Sequence, residues 1–201
     1  MKKSCLFLLL SVATTLSFAQ VSWNIKGGIN ISDWYGEGCT SEAKTGYKIG
    51  TGMEYAFNKM CSLQMSIFLS SKGAKSDAYD SVQTYSKSLK INQVYLELPI
   101  MAALRMPMNK NMNIVLSAGP YFAYGIGGKI TTEHGGQANK SRDAFGEDEI
   151  NRVDAGLGCG LAFEFGKFIV GFDGQFGLMV INAKKDAPKN GNFSITLGVN
   201  F

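Results

Sequence analysis

The last nine residues of the chain alternate strictly between apolar side chains and small or polar ones. This segment, FSITLGVNF at residues 193–201, carries an apolar residue at every odd position. A period of two is that of a β-strand, because successive side chains of a strand point to opposite faces of its sheet. A strand at the edge of an open sheet would leave its backbone unpaired, which invites aggregation. We therefore expect this strand to pair with the first strand of the chain and to close a barrel.

Alternation with a period of two recurs along most of the chain. In VDAGLGCGLAFEF, residues 153–165, apolar side chains occupy the odd positions, and small or charged ones occupy the even positions. A two-residue turn at 166–167 leads into a second alternating run, which is the pattern of a β-hairpin. The sequence thus predicts an all-β fold, an eight-stranded antiparallel up-and-down transmembrane β-barrel. The predicted strands are residues 22–31, 44–57, 61–71, 89–105, 112–131, 152–165, 168–181 and 192–201.

The connections between these strands alternate in length. Short turns are predicted at residues 58–60, 107–111 and 166–167. Short turns on one rim and long loops on the other are typical of bacterial outer-membrane barrels, whose turns face the periplasm. We therefore expect a monomeric barrel with its long loops outside the cell. The predicted long loops are residues 32–43, 72–88, 132–151 and 182–191.

The polar face of the strands decides between two kinds of barrel. A soluble lipocalin-like barrel turns its apolar face inward, whereas a membrane barrel turns it outward. The polar positions here hold glycine, alanine and serine with isolated charges, not the dense charge of a soluble sheet. Aromatic residues also gather next to the short turns, as in an interfacial girdle. We favour the membrane barrel, with a soluble periplasmic ligand binder as the alternative. The predicted girdle is Trp23, Tyr55, Phe57, Phe165, Phe168 and Phe201.

The first 19 residues have the pattern of a secretory signal peptide. Lys2 and Lys3 precede an apolar run, which ends at a small-residue cleavage site before Gln20. The apolar run is shorter than the roughly 20 residues that a transmembrane helix requires. We expect cleavage to leave residues 20–201 as one outer-membrane β-barrel domain. Cleavage removes two lysines and no acids, so the net charge of +4 falls to +2, which gives no indication of a nucleic-acid partner.

Several short motifs resemble those of a known family. They are IKGGIN at 25–30, LELPI at 96–100, AGPY at 118–121, DAGLG at 154–158 and the final aromatic Phe201, following a signal peptide. Together they resemble the PorT-like outer-membrane β-barrel proteins, often labelled the "porin family". The resemblance implies a Gram-negative outer-membrane barrel that the barrel-assembly machinery inserts. It implies no single activity, since only a few members are known as secretion components.

The lumen of an eight-stranded barrel is just wide enough for its own side chains to fill. Charges in such a lumen must pair or become neutral, because an isolated buried charge is costly. We expect Lys26, Lys48 and Arg105 to bridge the inward acids and to plug the lumen, so the label "porin" is not literal. The predicted lumen charge network is Lys26, Lys48, Glu54, Glu97, Arg105, Asp154, Glu164 and Asp173.

Proline and glycine within the predicted strands carry two further expectations. Pro99 and Pro120 cannot donate a ladder hydrogen bond, so we expect each to mark a β-bulge. A bulge would shift the alternation beyond it, which bears on the inward assignment of Arg105. The glycines of the stretch 156–160 share one face, and we expect them to leave room for larger side chains in the lumen.

No catalytic, cofactor or metal site is predicted. His134 lies near Ser141 and Asp143 in sequence, but proximity in a loop does not give the geometry that a nucleophile and its base require. The acidic residues at 143 and 147–149 do not have EF-hand spacing. We expect no cofactor.

The predicted function is a structural or surface-interaction role through the extracellular loops. One alternative is an accessory component of an outer-membrane secretion or assembly machine, and another is an enzyme of the outer leaflet. The expected partners are outer-membrane lipid or lipopolysaccharide, the barrel-assembly machinery during insertion, and an unknown protein at the loops. Nucleic acid is not among them.

Overall fold

The computed structural model describes residues 21–36, 41–78, 87–134, 137–146, 150–181 and 188–201. The predicted signal peptide, residues 1–19, lies outside the described residues, as do the acidic positions 147–149. Within the described ranges, no helix is long and apolar enough to cross a membrane.

The described residues form ten antiparallel β-strands, eight of which close into a ring. Around the ring the order is β1, β2, β3, β5, β6, β8, β9, β10 and back to β1. Neighbours along the chain are therefore neighbours in the barrel, so the predicted up-and-down fold of eight strands is confirmed. The strands are β1 Val21–Tyr35, β2 Glu42–Ala56, β3 Cys61–Lys72, β4 Ala74–Ala78, β5 Lys87–Asn109, β6 Met112–His134, β7 Gln137–Asp143, β8 Val153–Phe165, β9 Phe168–Val180 and β10 Lys189–Asn200.

The last strand closes the barrel against the first. The ladder between β1 and β10 runs without a break from Asn24 opposite Asn200 to Tyr35 opposite Lys189. Beyond the strand, the Phe201 N–H donates to the carbonyl oxygen of Trp23 at 2.8 Å. Closure leaves β10 with partners on both edges, as its alternation predicts.

Two predicted loops contain further strand. Residues 74–78 form β4, which continues from β3 in the same position of the sheet and pairs with the same two neighbours, β2 and β5. Residues 132–134 belong to β6, and 137–143 form β7, which pairs with β6. The prediction of loops at 72–88 and 132–151 is therefore wrong in these parts. The loops predicted at 32–43 and 182–191 are also too long, because residues 32–35, 42–43 and 189–191 belong to β1, β2 and β10, while 37–40 and 182–187 lie outside the described residues. Beyond the apolar band the outward residues of a strand are polar, so hydrophobic alternation does not reveal these extensions.

The break between β3 and β4 falls at Gly73, whose φ of +152° favours glycine. The hydroxyl group of Ser32 on β1 accepts a hydrogen bond from the Gly73 N–H and donates one to the Gly73 carbonyl, both at 2.9 Å. Ser32 therefore satisfies the two backbone groups that the break removes from the ladder.

Pro99 on β5 and Pro120 on β6 do not mark bulges. The register between the two strands is the same at Pro99 opposite Tyr121 as at Ala102 opposite Ala118. The ladder between β5 and β6 is interrupted between these two pairs, and this gap accommodates the N–H groups that Pro99 and Pro120 lack. The register between β5 and β6 shifts instead between Val94 and Tyr95 and again between Pro107 and Asn109, and the parity of β5 is kept through to Arg105.

Apolar side chains cover the outside of the ring. Ile25 and Ile29 on β1, Leu96 and Leu98 on β5, and Leu197 on β10 are all exposed, while the side chains that alternate with them point inward. This is the register of a membrane barrel, and the lipocalin-like alternative, with its apolar face inward, is wrong.

Candidate functional site: the barrel lumen

A guanidinium group links two carboxylates in the half of the lumen nearest the short turns. Arg105 on β5 donates to Glu54 Oε2 through Nη2 at 3.0 Å, and its Nη1 lies 2.8 Å from Oε1 of the same carboxylate in an ion pair. It also donates to Glu164 through Nε and Nη2, each at 2.9 Å. The planar guanidinium fork suits such paired contacts. Gln64 and Asn113 donate to the same two carboxylates, so this layer joins β2, β3, β5, β6 and β8.

A second layer is centred on Glu97 of β5, whose side chain has no solvent exposure. Lys72 Nζ lies 2.6 Å from one carboxylate oxygen, and Lys48 Nζ lies 3.5 Å from the other. Gln175 on β9 donates to Glu97 at 3.3 Å. The two ammonium groups also lie over aromatic rings, Lys48 over Phe68 at 4.6 Å and Lys72 over Tyr121 at 4.9 Å. Such cation–π contacts favour a charge that has been taken out of water.

A third layer surrounds the buried carboxylate of Asp154. Tyr121 donates its hydroxyl proton to Asp154 at 3.2 Å, and Asn190 donates through its amide at 3.1 Å. Both of these neutral donors bond to Oδ2, and Oδ1 is buried with no hydrogen-bond partner among the described residues. Asp154 lies on the inner face of β8, toward the long-loop end of the lumen, close to the Glu97 layer.

Two small cavities lie inside the barrel and share Lys26 and Asp173 among their lining residues. Both side chains are half-buried, and among the described residues neither forms an ion pair within 4 Å. The structure thus brings Lys48, Glu54, Glu97, Arg105 and Glu164 into ion pairs. It does not bring Lys26, Asp154 or Asp173 into them.

The glycines of β8 leave room for polar and aromatic side chains, as predicted. A Cβ atom at Gly156 would collide with the ring of Tyr121, and one at Gly160 would collide with Asp173. Tyr121 lies on β6 and Asp173 on β9, the two strands next to β8. The glycines therefore make room for side chains of the adjacent strands as well as for side chains across the lumen.

An apolar cluster fills the mouth of the barrel at its long-loop end. Phe145, which follows β7, is 5% exposed and packs edge-on against Tyr95, with ring centroids 5.6 Å apart. Arg152 holds it from the other side, lying 5.5 Å from the ring and donating to the Phe145 carbonyl at 3.2 Å. The cluster comprises Ile91, Tyr95, Tyr121, Ala123, Ile130, Ala144, Phe145, Ile150 and Ile181, with Trp34 and Leu89 packed against it.

The predicted girdle residues lie at the strand ends near the short turns. Trp23, Phe57, Phe165, Phe168 and Phe201 are exposed there. Tyr55 is half-exposed and packs edge-on against Phe57, with ring centroids 5.3 Å apart. Their role as an interfacial girdle stays a prediction.

Sequence reasoning missed two important lumen residues. Lys72 shares its parity with Ser62 and Ser70, the inward residues of β3, and a strand prediction one residue longer would have included it. Phe145 stands in a polar segment with no periodicity, so no local pattern indicated that it would fold back into the mouth.

The residues weighed for catalysis do not form a described site. In the ladder between β6 and β7, His134 pairs with Gln137 and Ser141 pairs with Thr131. The Asp143 carboxylate accepts the N–H of Phe145 at 3.0 Å. Across the described ranges, no group of three or more histidine, cysteine, aspartate or glutamate residues could hold a metal ion.

Comparisons with known proteins agree with the fold. The family described as "Outer membrane protein beta-barrel domain" matches residues 18–182. No curated protein matches the sequence. Among solved structures, the outer membrane protein OprG from Pseudomonas aeruginosa is 12% identical, with a TM-score of 0.50 over 91% of this chain and 97% of that chain. Likeness at this identity shows the fold alone.

Two further solved barrels are similar. Ail, the attachment invasion locus protein of Yersinia pestis, is 17% identical, with a TM-score of 0.45 over 90% of this chain and 99% of that chain. Neisserial surface protein A is 13% identical, with a TM-score of 0.46 over the same shares. The narrower PorT-like membership stays a prediction. Because the family match spans more than half of the sequence, the chain belongs to the outer-membrane β-barrel domain family, and it is an outer-membrane protein.

Proposed function

We propose that this protein is a plugged outer-membrane barrel that does not conduct solutes and that acts through its extracellular rim. The observation that carries the plug is the stacking of the Arg105 layer, the Glu97 layer and the apolar cluster along the lumen. Each layer joins side chains from several strands, so a solute would have to break several ion pairs inside the lumen to pass.

The surface role is supported by the ordered structure beyond the apolar band. Strands β5 and β6 each have 23 residues, about twice the 9–11 that cross a bilayer. Together with β4 and β7 they build a raised sheet on one side of the barrel. A rigid sheet displays side chains at fixed positions, which reduces the entropy that a binding surface must lose.

The plug is tested by single-channel recording. Purified protein in a planar lipid bilayer should give no discrete conductance steps, and a large porin in the same membrane serves as the positive control. Regular steps from the wild-type protein that scale with salt concentration would contradict the plug.

The surface role is tested by photo-crosslinking in living cells. A photoreactive amino acid at Arg142, on the outer rim, is compared with one at Lys110, in a short turn. A defined protein adduct from position 142 alone supports a surface partner. An adduct from position 110 alone favours the secretion-machine alternative. The proposal assigns no catalytic role, and a turnover abolished by His134→Ala would contradict it.

A further inference from the structure

The apolar outer surface of the barrel is taller on one half of the ring than on the other. On β5, β6, β8 and β9, which are consecutive in the ring, the outward side chains are apolar or glycine over 13–15 residues. On β10, β1, β2 and β3 such runs, interrupted only by Thr51, cover 9–11 residues. We call these two sets of strands the tall half and the short half. The runs of the tall half are residues 94–108, 112–126, 153–165 and 168–180, and those of the short half are residues 193–201, 21–31, 47–57 and 61–69.

The change in height is visible where the two halves meet. At the border between β9 and β10, Val180 lies directly opposite Lys189. At the border between β5 and β3, Val94 lies directly opposite Ser71. At both borders an apolar side chain of the tall half is therefore paired with a polar residue of the short half. The difference lies mainly at the long-loop end, because at the other end the apolar runs of both halves reach the short turns or the chain terminus.

The two halves require different thicknesses of hydrocarbon. For strands that rise about 3.3 Å per residue and tilt by about 40°, the apolar height is about 30–35 Å on the tall half and about 20–25 Å on the short half. A flat bilayer that matches the short half would leave the upper apolar side chains of the tall half in water. These side chains are exposed in the protein itself, and they are Leu96, Tyr124, Ile126, Val153, Leu178 and Val180.

Acyl chains are the partner that this upper surface fits. Along each strand of the tall half it is continuous with the apolar band that lipid covers, and no polar outward residue separates the two parts. A bilayer can thicken or thin locally to follow an apolar surface at a modest cost. Apolar surface left in water is unfavourable in proportion to its area. The bilayer should therefore follow the surface on both halves.

We propose that this barrel makes the bilayer around it uneven, with thicker hydrocarbon beside the tall half and thinner hydrocarbon beside the short half. The inference goes beyond the proposed function, and it depends on neither the plug nor a partner at the rim. A conducting lumen or a missing surface partner would leave the uneven bilayer intact. The short half thereby becomes one side of the barrel at which the outer membrane is locally thin.

Tryptophan quenching in lipid vesicles tests the uneven bilayer. The native tryptophans are removed by Trp23→Phe and Trp34→Phe, and one new tryptophan is introduced into the full-length barrel. The two test variants are Val153→Trp on β8 and Thr45→Trp on β2, which are opposite strands of the ring. The vesicles are made of phosphatidylcholine with brominated acyl chains, and the same lipid without bromine gives the unquenched emission.

The two test positions are matched in height. Each is exposed, and each lies twelve residues from an outward phenylalanine at its short turn, Phe165 on β8 and Phe57 after β2. Ile49→Trp, lower on β2 and within the apolar run of the short half, is the control for a side chain in hydrocarbon.

The tryptophan at 153 should lose as much emission as the one at 49, because acyl chains cover the upper part of the tall half. The tryptophan at 45 should lose much less, because it stands above thinned hydrocarbon. Weak quenching at both 153 and 45 would overturn the proposal, since water or a second protein would then cover the upper surface. Strong quenching at both would show an even bilayer and would also overturn it.

A tilted barrel in a flat bilayer would also bury residue 153 and expose residue 45. Tilt would, however, lift the short turn of β8 out of the hydrocarbon and move the short turn of β2 deeper into it. Phe165→Trp and Phe57→Trp, in the same background, distinguish the two cases. Similar quenching at the two turns supports an uneven bilayer, whereas quenching at 57 without quenching at 165 would overturn it in favour of tilt.

Cysteine labelling covers the case in which a tryptophan variant does not fold. Val153→Cys and Thr45→Cys are made separately in a protein whose native cysteines have been replaced. In lipid nanodiscs, which leave both membrane faces open to water, a charged maleimide should label the cysteine at 45. It should not label the cysteine at 153, because a charged reagent does not enter hydrocarbon. Labelling of both positions, or of neither, would overturn the proposal.

Discussion

Nζ of Lys72 on β3 lies 2.6 Å from Oε1 of Glu97 on β5, and the two side chains are 1% and 0% exposed. Their charges have been removed from water at a cost that only close pairing offsets. Because β3 and β5 are neighbouring strands of the ring, the ion pair also stabilises the register in which they pair. It forms the centre of the buried polar structure on which the proposed plug rests.

Removing the Glu97 carboxylate should strongly destabilise the barrel. Glu97→Gln leaves two buried ammonium groups, Lys48 and Lys72, without their counter-charge. We expect the free energy of unfolding to fall by about 3–5 kcal/mol. Urea titration in lipid vesicles measures it, with Glu42→Gln, an exposed acid on the outer rim, as the matched control. Equal stability of the two variants would contradict the proposed importance of the Glu97 layer.

The Arg105 layer should behave as a unit. Arg105→Met leaves Glu54 and Glu164 as neighbouring carboxylates without a cation, at an expected cost of about 3–5 kcal/mol. Adding Glu54→Gln and Glu164→Gln to the same protein should restore much of that stability, because the uncompensated charges are gone. Unfolding titrations of the single and triple variants test this coupling. A triple variant as unstable as the sum of its single changes would show that the three residues act independently.

Phe145 should hold the apolar cluster at the mouth together. Phe145→Ala removes the ring that packs against Tyr95, and we expect a cost of up to about 3 kcal/mol. In a Trp23→Phe background, Trp34 is the remaining tryptophan and its emission should shift to longer wavelength as water enters the cluster. Phe57→Ala, an exposed ring at the opposite rim, is the control. An unchanged spectrum in the Phe145 variant would argue against a packed mouth.

A lysine on the outer face should be costly in proportion to its depth. Leu197 is 64% exposed and lies within β10 opposite Val170 and Gly27. Leu197→Lys should cost about 2–4 kcal/mol if this position meets the middle of the bilayer. Met108→Lys, near a short turn, should cost at most about 1 kcal/mol. The difference in unfolding free energy between the two variants measures the position of the apolar band.

Alternation alone predicts much of the barrel, because every second residue of a membrane strand must be apolar. It places Glu97 and Arg105 inward, and the structure finds both there. It cannot indicate that Lys72 contacts Glu97, because pairing between strands depends on register. The prolines mislead, since Pro99 and Pro120 are accommodated by gaps in the ladder without any change of register.

The mouth is the part that sequence reasoning could not reach. Phe145 is one aromatic residue in a polar segment, and its burial depends on the room left at Gly125 and on the contact with Arg152. Strands β4 and β7 could not be predicted from the sequence either, because they lie beyond the apolar band and do not show its alternation of apolar and polar residues.

The inward and outward faces of β10 test the account most directly. Single cysteines are placed at residues 193–199 in a protein whose native cysteines have been replaced, and each is labelled with a small fluorophore in lipid vesicles. Cysteines at 193, 195, 197 and 199 should label, and brominated acyl chains should quench their fluorescence. Cysteines at 194, 196 and 198 should resist labelling, because they face the packed lumen. Quenching at the even positions instead of the odd ones would contradict the barrel described above.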